Sequence, residues 1–87
     1  MGVGRKQVAI VAWKKLKNLT YLVENDGEVT IGICGPVRCA ATACDEGSQL
    51  AVLVKRDNET IDDLLERLDA AVDRAWEQEI YTDEIND

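Results

Sequence analysis

The chain has 87 residues, enough for one domain and near the size at which a single core only just suffices. Its formal charge of −7 disfavours nucleic acid as a general partner, and the absence of histidine excludes Ser-His-Asp and Cys-His arrangements within one chain. Phenylalanine is absent too, so the ring anchors are Trp13, Trp76, Tyr21 and Tyr81, and a core built from Val, Ile, Leu and Ala favours an oligomer.

The charge is unevenly placed. Residues 1–23 carry Arg5, Lys6, Lys14, Lys15 and Lys17 and no acid, whereas residues 57–87 carry an excess of acids over Arg67 and Arg74. Opposite signs at the two ends suggest contact between them, within a chain or between two. The longest unbroken apolar run is residues 8–13, far short of the about 20 needed to span a bilayer. It is also too short for a secretory leader, and lysines follow it. The expectation is a cytoplasmic protein with no membrane partner.

The first predicted element is residues 5–18. Val8, Val11, Ala12, Lys15, Leu16 and Leu19 follow helical spacing. Lys14, Lys15 and Lys17 sit where a helix C-terminus favours cations, with Asn18 as the cap. Helix is the preferred reading, although residues 8–13 also fit a buried strand. Residues 20–24 read as a strand. Asn25, Asp26 and Gly27 make the strongest turn signal in the chain, since these residues tolerate positive φ. Residues 28–33 alternate, with Val29, Ile31 and Ile33 on one face, so the two segments are expected to form a hairpin.

Gly35 and Pro36 break the chain. Residues 37–43 then place Val37, Cys39, Ala41 and Ala43 on one face, small side chains that leave room for a helix packed close. Residues 45–48 make the next turn. In the strand at 50–55, Leu50, Val52 and Val54 point inward, and Ala51 and Leu53 make the other face apolar as well, which predicts a strand covered on both sides.

The most legible stretch is residues 60–78. Thr60 and Asp63 have capping-box spacing, and Asp62 joins Asp63 in the first turn, where the helix dipole favours anions. Ile61, Leu64, Leu65, Leu68, Ala71, Val72, Ala75 and Trp76 fall on one arc, with Asp62, Glu66, Asp69, Asp73 and Glu77 opposite. Asp63 and Arg67 are spaced as an i,i+4 ion pair. Glu79 would fall within the apolar arc, so the helix is expected to stop near Gln78. The tail, residues 79–87, either is mobile or folds onto the sheet or a neighbouring subunit. Ile80, Tyr81 and Ile85 are more apolar surface than a solvating tail requires.

Little here carries chemistry. Cys34, Cys39 and Cys44 are odd in number and have no histidine beside them, so neither a complete disulfide framework nor a four-ligand zinc site follows. They read as small buried hydrophobes, with a reactive thiol or an intersubunit ligand as the alternative. No cofactor or metal is expected. Gly32 to Gly35 has G-x-x-G spacing but lacks the basic neighbours of a nucleotide clamp.

Two resemblances exist at the level of element order. An α-β-β-β-α order resembles the double-stranded RNA-binding domain, but that family presents lysines at the start of its last helix, where this chain has Asp62 and Asp63. A strand pair followed by ETIDDLLERLDAAVDRA resembles the small antitoxins of the HicB type, which implies a regulatory protein.

The expected architecture is a single α+β domain: an antiparallel four-stranded sheet with an N-terminal helix and a C-terminal amphipathic helix, in the order α-β-β-β-β-α. A five-stranded meander with one helix is the alternative if residues 5–18 form a strand. The expected function is that of an acidic protein-interaction module, non-catalytic and self-associating. Its candidate contact residues are Trp13, Trp76, Ile80, Tyr81 and Ile85. The acids Asp69, Asp73 and Glu77 are candidates for a second reading, in which the helix blocks a basic protein partner. A third is a small-molecule pocket between helix and sheet, lined by Cys39 or Trp76.

Overall fold

The computed structural model describes residues 16–86, so most of the first predicted element, together with Trp13, lies outside the described residues. Within them the order is α1 (Lys17–Glu24), β1 (Glu28–Cys34), β2 (Val37–Asp45), β3 (Ser48–Val54), α2 (Ile61–Gln78) and β4 (Thr82–Asp83). The sheet runs β1-β2-β3-β4. Its first three strands are antiparallel and β4 lies parallel to β3, so the sheet is mixed rather than antiparallel throughout. The order α-β-β-β-α-β replaces the expected α-β-β-β-β-α: the fourth strand comes after the long helix, not before it.

The segment expected as a strand at 20–24 belongs to α1. Leu16, Leu19 and Leu22 recur every three residues, and all three are buried in one cluster with α2 and the sheet. Tyr21 and Val23, which flank Leu22, remain exposed. Burying three leucines along one side needs a helix, and this outweighs the apparent alternation of the short segment. The turn at Asn25, Asp26 and Gly27 is therefore a helix end, not a hairpin. Asp26 adopts a left-handed conformation (φ 71°), and the Gly27 N–H donates to the Leu22 carbonyl at 2.8 Å, the 6→1 bond of a Schellman cap. A Cβ on Gly27 would run into Leu22, so the residue must be glycine for the chain to leave the helix this closely.

The antiparallel hairpins set which residues face the helices. Val29 and Ile31 lie opposite Ala43 and Ala41, which in turn lie opposite Ala51 and Leu53. The β2–β3 turn is a two-residue loop in which Glu46 (φ 37°) and Gly47 (φ 89°) are both left-handed, as type I′ geometry requires. The register shifts between Ala43 and Cys44, and this brings Leu50 into the core beside Ala51 and Leu53. Both helices share one face of the sheet. Leu64, Leu68, Ala71 and Val72 of α2 pack with Ala41, Ala43, Ala51 and Leu53, and the alanines give the close approach that the small side chains of β2 predict. Each leucine buried here contributes about 1.5–3 kcal/mol relative to an exposed one. Ala40 and Val52 are buried outside this cluster, on the sheet's other face.

The long helix forms as expected. The Asp63 N–H donates to Thr60 Oγ1 at 3.0 Å and the Thr60 N–H to Asp63 Oδ2 at 3.4 Å, completing the capping box. The helix ends at Gln78, with Glu79 left-handed (φ 57°). Among the described residues no helix is long and apolar enough to cross a membrane.

Candidate interaction surface

The two edges of the sheet are the natural places to look for a site, and they are built from opposite materials. At the β3 edge the tail folds back. Thr82 and Asp83 pair with Ala51 and Val52, and the Glu84 N–H donates to the Val52 carbonyl at 2.9 Å. One residue further, the Glu84 side chain takes over from the backbone: its Oε1 accepts from the Val54 N–H at 2.8 Å. Asp83 closes the turn by accepting from the Ile85 and Asn86 amides at 3.1 and 3.0 Å. The Asn86 side chain and then its amide hold the Asp83 carboxyl below its ordinary value.

Arg67 ties this edge to α2. Its Nε donates to Glu59 Oε2 at 2.6 Å, its Nη1 to Glu84 Oε2 at 3.0 Å and its Nη2 to the Val54 carbonyl at 2.9 Å. The expected pairing with Asp63 is not the one formed. Asp63 is occupied by the capping box, while Glu59 and Glu84 converge on the guanidinium from the loop before the helix and from the tail after it. The Arg67 guanidinium, and then the Arg56 amide, hold Glu59 down to about 2. The tail is thus held by polar bonds, and its apolar residues are left over: Ile80 is 47% exposed and Tyr81 58%, while Ile85 is half-buried.

The acidic side of α2 divides in two. Asp69 is half-buried and works inside the fold: its Oδ1 accepts from the Leu19 N–H at 2.9 Å and its Oδ2 from Asn18 Nδ2 at 3.1 Å. It supplies the cap that α1 lacks in its own sequence, since Leu16 has no side-chain acceptor. Asp73 and Glu77 are exposed, and among the described residues neither makes an ion pair. Spacing could not separate Asp69 from the other two, because the difference depends on where α1 lies.

Trp76 is half-buried against the core, in an edge-to-face contact with Tyr21 at 5.8 Å between ring centroids. Its Nε1 donates to Asp45 Oδ2 at 3.5 Å. Cys39 also packs against the core. Cys44 is half-buried, and burial, then Glu28 and Asp45, push its thiol up, which keeps it protonated. Cys34 is exposed at the end of β1. Among the described residues no group of three or more metal-ligating side chains could hold an ion.

At the β1 edge the picture reverses. No strand lies beyond β1 among the described residues. Along its helix-facing side Val29 packs against the core, but Ile31 is 42% exposed and Ile33 84%. The alternation at 28–33 places Val29, Ile31 and Ile33 on one face, but it does not tell whether that face is covered, which depends on strand order and on where the helices lie.

Fold and surface together describe a two-layer α+β domain with two helices on one face of a mixed four-stranded sheet. Neither a protein-family model, nor a curated protein, nor a solved structure matches it.

Proposed function

We propose that this chain is a non-catalytic protein-interaction module that works as a homo-oligomer. The observation that carries this reading is the bare apolar side of β1, where Ile31 and Ile33 are exposed on a strand that has no outer neighbour among the described residues. A core made of leucine, valine and alanine, with no fully buried aromatic ring among the described residues, supports it. Light scattering on the full chain across micromolar concentrations tests it. The expected result is a mass of at least twice the chain mass, and a monomer throughout would overturn the reading.

A second reading rests on the exposed acids of α2. Asp62, Glu66, Asp73 and Glu77 point away from the core with no cation paired to them among the described residues, as a docking face for a basic protein requires. Asp69 takes no part in it, being committed to α1. Reversing Asp73 and Glu77 to Lys abolishes capture of a basic protein if this face docks one. Unchanged capture would remove the reading.

A further inference from the structure

We propose that β1 is the seam of a two-fold dimer: β1 of one copy pairs antiparallel with β1 of a second, with the axis through Ile31. The proposal rests on the oligomeric reading above and names the surface and register that it would use.

The first argument is the state of the edge. Free edge strands are usually blunted by lysine, proline, an inward-pointing charge, a bulge or a covering segment. The residues of β1, EVTIGIC, contain none of the first three, and Glu28, the one charge, stands at the strand's first position. The opposite edge of the same sheet is covered by β4 and the Arg67 network. Among the described residues, cover is therefore built on one side and missing on the other, along a seven-residue strand whose pairing with β2 is regular from Glu28 to Gly32 and shifts register only between Gly32 and Cys34.

The second argument is self-complementarity. Centring on Ile31 sets all seven residues opposite one another, with the irregular Gly32–Cys34 step of each copy at an end of the seam. Ile31 meets Ile31 of the second copy, and each Val29 meets Ile33 of the other, giving three apolar rungs on the helix-facing side. Shifting the register by one residue in either strand would set these side chains against Thr30 and Gly32 and lose every rung. The same register places Glu28 opposite Cys34, so the two carboxylates stand at opposite ends of the seam. It also brings each Glu28 within two strand spacings, about 10 Å, of Arg38 of the second copy, an opposite charge.

The third argument is the gradient of burial. Val29 packs against the core while Ile31 and then Ile33 become progressively bare, because the helix layer does not reach the far end of β1. The antiparallel register lays the barest residue of one copy beside the best-covered residue of the other. The result is a continuous eight-stranded sheet with all four helices on one face. The contact is isologous, so it closes at two copies rather than running on into a fibre.

The test uses the full chain. Sedimentation of wild type should show a dimer, and Ile33→Lys should raise the dissociation constant by about tenfold or more, because it sets a charge in each outer rung. Ile33 is so exposed that its substitution leaves the fold intact, which circular dichroism checks, and Asp57→Lys, in the exposed loop after β3, should leave the dimer unchanged. The register is read by crosslinking in a Cys34→Ser, Cys39→Ser, Cys44→Ser background with copper-phenanthroline as oxidant. Ile31→Cys should give a covalent dimer, since directly opposed residues lie within disulfide reach, and Ile33→Cys alone should not. A dimer that survives Ile33→Lys, or one that Ile33→Cys links better than Ile31→Cys, overturns the seam and leaves the oligomeric reading standing. A wild-type monomer at every concentration overturns both.

Discussion

The β3 and β1 edges belong to one sheet, with only β2 between them, and they are finished differently. At β3 the chain spends a tail, a strand pair, two glutamates and an arginine on closure, and Leu50 to Leu53 are all buried. At β1 no described segment closes the edge, and within the strand only Val29 and Gly32 are even half-covered. The difference teaches that closure is selective. The fold can protect an edge with polar bonds from distant segments, so the open edge is not explained by a shortage of material.

The comparison can be broken most sharply by truncation. Leu53→Ala, in the core beside the closed edge, should cost about 2–5 kcal/mol in denaturant unfolding. Ile33→Ala, measured dilute enough to disfavour self-association, should stay within about 0.5 kcal/mol. Equal costs would mean that β1 is as buried as β3.

The next effect in size is on the closed edge itself. Arg67→Ala removes four hydrogen bonds to three partners at once and strands Glu59, whose side chain is almost covered. The tail should detach locally, with faster amide exchange at Val54 and Glu84 and a fall of several degrees in melting temperature. Glu84→Gln keeps an acceptor for the Val54 amide and should do less. If exchange at Val54 does not change in Arg67→Ala, the guanidinium is not what closes this edge.

Acid should act on the same side. Glu59 is held at about 2 in the fold against an ordinary value of 4.5. Its folded value is depressed, so its contribution is fully present above 4.5 and is lost as pH falls from there toward 2. Melting temperature should fall through that window in wild type and fall less in Glu59→Gln. Identical profiles would show that the pair does not couple to folding.

The smallest effects are chemical. Iodoacetamide should modify exposed Cys34 well before Cys44, whose thiol is half-buried and held protonated. Glu46→Asn should raise stability by about 0.5 kcal/mol, since Asn tolerates the left-handed conformation that Glu46 adopts.

Much of the fold could be read in advance where neighbours in sequence are neighbours in space. The Thr60 and Asp63 cap, the stop at Gln78, the turns at 35–36 and 46–47 and the small face of β2 all depend on residues a few positions apart. The errors share the opposite cause. Residues 20–24 looked like a strand because their helical partners, Leu64 and Leu68, are supplied from the other half of the chain. Arg67 was matched to Asp63, one turn away, because Glu84 is brought to it only by the returning tail. The tail was legible as apolar, yet it docks through backbone and carboxylates, and two residues of strand leave no alternation to detect. The exposed Ile31 and Ile33 repeat the lesson: their spacing is that of any inward face, and only strand order tells which edge lacks a neighbour.

The cap that Asp69 places on α1 has a consequence for the order in which the molecule is made. A helix of eight residues is too short to persist in water alone. Its opening turn is closed by a carboxylate about fifty positions downstream. Synthesis therefore delivers α1 about fifty residues ahead of the group that completes it, and the helix waits, unsettled, for that later segment to arrive.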